Sequence, residues 1–132
     1  MNELIEIQES VLSSVMVEGS HCSIELRPAW VHRSYGRPGM DPGRCYTQDV
    51  RIDIGEGLVR GQPASLPVVL LESELHVGDA HFPDIIPSRF TQDAPVRLRF
   101  GTVVEDSFLE VEGRSISIYA IGEPTFACDF PS

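Results

Sequence analysis

The chain has 132 residues, 42% of them hydrophobic and 23% charged, with 20 acidic against 10 basic side chains and a net charge of −10. That length suits one domain and is too short for two of ordinary size, and the apolar content is too high for wholesale disorder. No apolar run approaches the roughly 20 residues of a membrane-spanning helix, and no basic start with an apolar stretch and cleavage site appears at Met1, so the expectation is a single cytoplasmic domain over 1–132 without a membrane role.

In chain order, period-2 alternation dominates, and it predicts strands with one face on a core and one in water. Residues 3–9 carry Leu4, Ile5 and Ile7 and suit an edge strand or a helical turn, of which the strand is preferred. Cys22, Ile24 and Leu26 share one face opposite Ser23, Glu25 and Arg27. Val50, Ile52 and Ile54 alternate with Arg51 and Asp53, then Val96, Leu98 and Phe100 with Arg97 and Arg99, then Ile116 and Ile118 with Ser115 and Ser117. Gly19-Ser20, Gly78-Asp79 and Glu112-Gly113-Arg114 are short Gly-containing breaks that suit hairpins, and Glu105-Asp106 is a weaker one. Ten prolines oppose long helices. The pattern predicts an all-β fold: an antiparallel β-sandwich or partly open β-barrel of about nine or ten short strands. A Gly/Pro-rich loop at 34–45 and a second connection from Gly61 through Pro67 interrupt it.

The charge argues against nucleic acid and anionic lipid, which both require basic surface; it is compatible with a basic protein partner, and an acidic surface equally serves solubility alone. All ten basic residues are arginine, so no lysine nucleophile or Schiff base exists. The cysteines Cys22, Cys45 and Cys128 are odd in number and widely spaced, which opposes a disulfide framework and a cysteine-rich zinc site. Cys22 and Cys128 lie in strand-like runs. Cys45 is placed in the loop as the one candidate reactive thiol, with no base identified from spacing. Phosphate loops, nucleophile elbows and His-Glu-x-x-His are absent, so the reading leans away from an enzyme and calls for no cofactor.

Three groups of residues are candidates for binding. If Gly78-Asp79 is a two-residue turn, His76 faces His81 with Cβ atoms about 4.5–5.5 Å apart. Glu74 joins them on that face, giving a metal-ligating set with open positions. Trp30, His32, Arg33 and Tyr35 run into the Gly/Pro loop with Arg37, Asp41 and Arg44, a combination suited to a small anion or a partner. Glu72, Glu74, Glu110 and Glu112 project at spacing two as a partner-facing acidic surface; solvated strand faces explain them better than a pair of glycosidase carboxylates.

Trp30-Val-His-Arg-Ser34, Gly36-Arg-Pro-Gly-Met-Asp-Pro-Gly43 and Thr47-Gln-Asp-Val50, followed by Ile85-Ile-Pro87 and Gly122-Glu-Pro124, resemble a pattern in small bacterial β-rich domains of unknown function. The resemblance implies that the 32–48 segment belongs to the domain's design, and it brings no activity or catalytic residue. The leading expectation is a non-enzymatic acidic protein-binding module, in its most concrete form an immunity-type inhibitor of a basic toxin. The alternative is a small-ligand or metal-binding β-barrel. Homodimerisation through an exposed sheet edge is left open.

Overall fold

The computed structural model describes residues 1–131. Among these the chain forms eleven strands and no helix: β1 (Asn2–Glu6), β2 (Val11–Glu18), β3 (His21–Ser34), β4 (Gly43–Gly55), β5 (Leu58–Gly61), β6 (Val68–Val77), β7 (Ala80–Pro83), β8 (Ile85–Pro87), β9 (Phe90–Thr102), β10 (Phe108–Ala120) and β11 (Thr125–Phe130). All strand pairs are antiparallel. Six strands close a barrel in the order β4-β10-β9-β6-β2-β3, with β3 pairing back onto β4. No helix of the described residues is long and apolar enough to cross a membrane.

Long strands serve two layers at once. His21–Leu26 of β3 lines the barrel, and the register then shifts between Leu26 and Ala29, where Arg27 and Pro28 stand opposite only Asp49. Such a bulge bends the strand. Beyond it, Trp30–Ser34 pairs with β1, and the start of β4 pairs with β11, so an outer sheet β8-β1-β3-β4-β11 grows from the barrel wall. Ser10 ties the two layers: its hydroxyl donates to Glu6 O and accepts from Trp30 N, while its carbonyl accepts from Leu70 N.

The alternation read from the sequence is the alternation of burial. Cys22, Ile24, Leu26, Val50, Ile52, Ile54, Val96, Leu98, Phe100, Ile116 and Ile118 all face the core, joined by Leu12, Leu70, Leu75, Leu109 and Val111. Each large side chain removed from water contributes about 1.5–3 kcal/mol, which is why the register cannot slip by one residue without turning a whole face outward. These side chains fill the barrel, as is usual for small barrels, so binding chemistry falls to the outer surface.

Three expectations are corrected here. Eleven strands replace nine or ten. Gly113 is no turn: β10 runs through it, and the register against β9 shifts between Gly113 and Ser115. A Cβ there would stand 2.3 Å from Ile54 Cγ2 and 2.7 Å from Gly55 O, so this glycine allows a close strand approach at the point where β10 exchanges β5 for β4 as its neighbour. Cys45 lies in strand β4 and is 4% exposed, because pairing with β3 and β11 extends β4 back to Gly43 and shortens the connecting loop to 35–42.

Candidate functional sites on the outer surface

The β6–β7 hairpin brings its three predicted residues together. Gly78, at φ +57°, and Asp79 make the two-residue turn, and His76 stands directly opposite His81. Their rings stack with centroids 4.2 Å apart and planes 5° from parallel. Glu74 Oε2 accepts from His81 Nε2. One ligand atom from each of Glu74, His76 and His81 lies within 4.8 Å of the others.

The segment from Trp30 to Arg44 is divided between two places. On one face Trp30 and His32 border a cavity of about 330 Å³ with Glu6, Gln8, Glu9, Cys45 and Cys128. His32 is buried, its Nε2 2.7 Å from Glu6 Oε2 and its Nδ1 3.6 Å from Cys45 Sγ, with Phe130 edge-on to the ring at 5.5 Å. Cys45 and Cys128 are cross-strand partners. Burial, followed by the hydrogen bond and charge of Cys128, pushes the Cys45 thiol up to about 12, so it is held protonated and is a poor nucleophile. The imidazole that spacing could not place beside Cys45 is that of His32, brought there by the β3–β4 pairing.

On the other side, Arg33, Tyr35 and Arg44 border a cavity of about 430 Å³ with Tyr46 and Asp129. The cations there are already matched. Arg33 Nε donates to Glu3 and its guanidinium lies 4.5 Å over the Tyr46 ring, while Arg44 stands 4.0 Å from Asp129. Arg37 and Asp41 are occupied within the loop: Asp41 Oδ2 accepts from Arg37 N at 2.6 Å, and that backbone hydrogen bond holds its carboxyl below the usual range. A free anion finds no unmatched arginine in this group.

The acidic ladder is likewise interleaved. Register places Glu74 opposite Arg99 and Arg99 opposite Glu110, with Arg97 between His76 and Glu112 one row along. Arg99 lies 3.8 Å from Glu110, and Arg60 3.5 Å from Glu112. Eight of the ten arginines stand within 4.0 Å of a carboxylate in this way.

The acids without such a partner among the described residues include Glu9, Glu72, Glu105 and Asp106, and these four share a neighbourhood. Val103 N donates to Val69 O, Glu9 N donates to Leu70 O, and Leu70 is paired with Thr102. The irregular register between Leu70 and Glu72 leaves both Leu71 and Glu72 exposed. Between these acids, Val69, Leu71, Val103 and Val104 are 38%, 48%, 55% and 55% exposed. The arrangement is an apolar patch rimmed by unmatched negative charge, a combination that marks contact surfaces. Sequence reasoning had only Glu72 of this group; Val103-Val104 beside Glu105-Asp106 was the local signal for the rest. Comparison of the chain with protein-family models, curated proteins and solved structures found no match.

Proposed function

We propose that the protein is a non-enzymatic binding module that engages a basic protein partner through the patch Val69, Leu71, Val103 and Val104 and its acidic rim. The observation that supports the reading most directly is the clustering of Glu9, Glu72, Glu105 and Asp106, none within 4.0 Å of a basic group among the described residues, around exposed aliphatic side chains, whereas Glu110 and Glu112 on the neighbouring ladder are matched by Arg99 and Arg60. Apolar contact supplies the affinity, and the rim supplies steering and selects cationic surroundings. Masking the positively charged working surface of a basic toxin is the concrete form of that activity.

The test is capture from a lysate of the source cells on immobilised wild-type chain, compared with a Leu71→Asp/Val103→Asp variant. A basic protein held at low salt by the wild type, shed at high salt and absent from the variant supports the proposal. Retention that is indifferent to the patch substitutions, or capture of no basic protein, overturns it.

A further inference from the structure

We propose that Glu74, His76 and His81 form a binding site for a divalent transition-metal ion on the outer face of the β6–β7 hairpin, separate from the partner surface. The donor set is two imidazoles and one carboxylate, borderline ligands that suit Zn²⁺, Ni²⁺ or Cu²⁺ and not the all-oxygen preferences of Mg²⁺ or Ca²⁺. Their ligand atoms already stand within 4.8 Å of one another. For metal–ligand bonds of about 2.1 Å a tetrahedral ion needs its ligand atoms about 3.4 Å apart. To converge their in-plane lone pairs on one ion the two stacked rings, now 5° from parallel, must tilt, and Glu74 must turn toward them; side-chain rotation alone can do this with the strands in place.

The backbone holds the three residues in register. Glu74–Val77 is paired on one side with β7 and on the other with β9. A one-residue slip would bring the buried Leu75 and Val77 to the surface. The hairpin therefore presents His76 and His81 as a fixed cross-strand pair, and Glu74 completes the face two residues along the same strand. An ion bound here would replace the hydrogen bond that now joins Glu74 Oε2 and His81 Nε2. Because the donors open outward, the remaining coordination positions are left to water or to a ligand atom from another molecule.

The surrounding charges define how strong the site can be. On β9, Arg97 stands opposite His76 and Arg99 opposite Glu74, both opposing a cation. Arg99 is partly neutralised by Glu110. Glu72 on the same strand and Asp79 in the turn add negative charge nearby. Arg97→Gln is accordingly expected to tighten binding.

The experiment is calorimetric titration of the metal-free chain with ZnCl₂, repeated with NiCl₂ and CuCl₂, on wild type, His76→Ala, His81→Ala and Cys45→Ser/Cys128→Ser. The expected result is one ion per chain in the wild type and the cysteine variant, with affinity weakened more than about tenfold in each histidine variant. His81 is exposed and His76 half-buried, so both histidine substitutions are expected to leave the circular dichroism spectrum unchanged, and that spectrum, recorded for every variant including the buried Cys45→Ser, separates loss of a ligand from loss of the fold. Titrations without heat or chemical-shift change at His76 and His81 for all three ions overturn the proposal. So does binding that survives both histidine substitutions and disappears with the cysteines, which would place the ion at the His32–Cys45–Cys128 cavity instead. None of these outcomes depends on whether a protein partner is found.

Discussion

The turn between β9 and β10 presents half of the proposed contact surface, and the Thr102 hydroxyl holds it together with the backbone hydrogen bonds Thr102 N to Ser107 O, Ser107 N to Val104 O and Val103 N to Val69 O. Thr102 is 7% exposed. Its Oγ1 lies 3.2 Å from Val104 O and 3.0 Å from Ser107 O as donor, and accepts from Val104 N at 3.2 Å. The substitution Thr102→Val keeps the branched shape and removes the hydroxyl. One donated and one accepted hydrogen bond are lost at about 0.5–1.5 kcal/mol each, and Val104 N at the exposed turn regains water in part, so the expected destabilisation is about 1–2 kcal/mol. With a urea m-value of about 2 kcal/mol/M, the midpoint falls by roughly 0.5–1 M at unchanged m. Thr102→Ser retains Oγ1 and restores much of the loss. Amide exchange at Val104 and Ser107 should quicken in the valine variant, and partner capture should weaken with it, because Val103, Val104, Glu105 and Asp106 all ride on this turn. A midpoint shift below about 0.2 M, or a serine variant as unstable as the valine, would refute the assignment of the turn's rigidity to this hydroxyl.

Neutralising the rim with Glu72→Gln, Glu105→Gln and Asp106→Asn should slow partner association about tenfold at low salt and flatten its salt dependence, whereas Glu110→Gln with Glu112→Gln should leave the rate unchanged; stopped-flow or surface-binding kinetics separate the two. Asp53 is opposed by burial, yet hydrogen bonds from Ser23, Tyr119 and His21 hold its carboxyl below the ordinary 3.8. Its contribution to stability is therefore complete above that value and is lost as pH falls through the lower native one. Asp53→Asn should cost about 1–2 kcal/mol at pH 7 and flatten the acid limb of a stability–pH profile followed by urea unfolding. Iodoacetamide at pH 8 should modify Cys128 first in the native chain and reach Cys22 and Cys45 only on unfolding, since both are buried and burial raises both thiols. Peptide mass spectrometry reads the order, and equal labelling of all three would contradict the packing.

What the sequence made legible was whatever depends on neighbours along the chain. The strand faces followed from period-2 alternation, and the His76–His81 pair followed from a two-residue turn, because both are local rules that tertiary pairing did not override. The unread part depends on which strands meet. Glu6, His32, Cys45 and Cys128 come from β1, β3, β4 and β11, and nothing in their spacing foretells that those strands adjoin. The same holds for Glu110 and Glu112, whose neutralisation by Arg99 and Arg60 is set by register with β9 and β5. Gly113 misled for a related reason. Glycine marks both turns and close strand approaches, and only the neighbouring Ile54 decides between them.

Strand β6 connects the two proposed surfaces while keeping them apart. Its outward-facing residues run from the exposed Val69, Leu71, Glu72 and Glu74 to the half-buried His76, so the apolar end belongs to the proposed partner patch and the imidazole end to the proposed metal site. The apolar end is also where the barrel closes most thinly: β2 and β6 share only the pairs Val11–Val69 and Leu12–Val68, against the long ladders of β3 with β4 and β9 with β10. A partner seated across Val69 and Val103 would brace the strand that closes this seam, and a ligand that binds only the closed barrel stabilises it with the logarithm of its concentration over Kd. On the proposed reading the exposed patch lies beside the least-paired point of the barrel, so a bound partner would cover Val69 next to the β2–β6 seam and slow amide exchange there before it did so along the β3–β4 ladder.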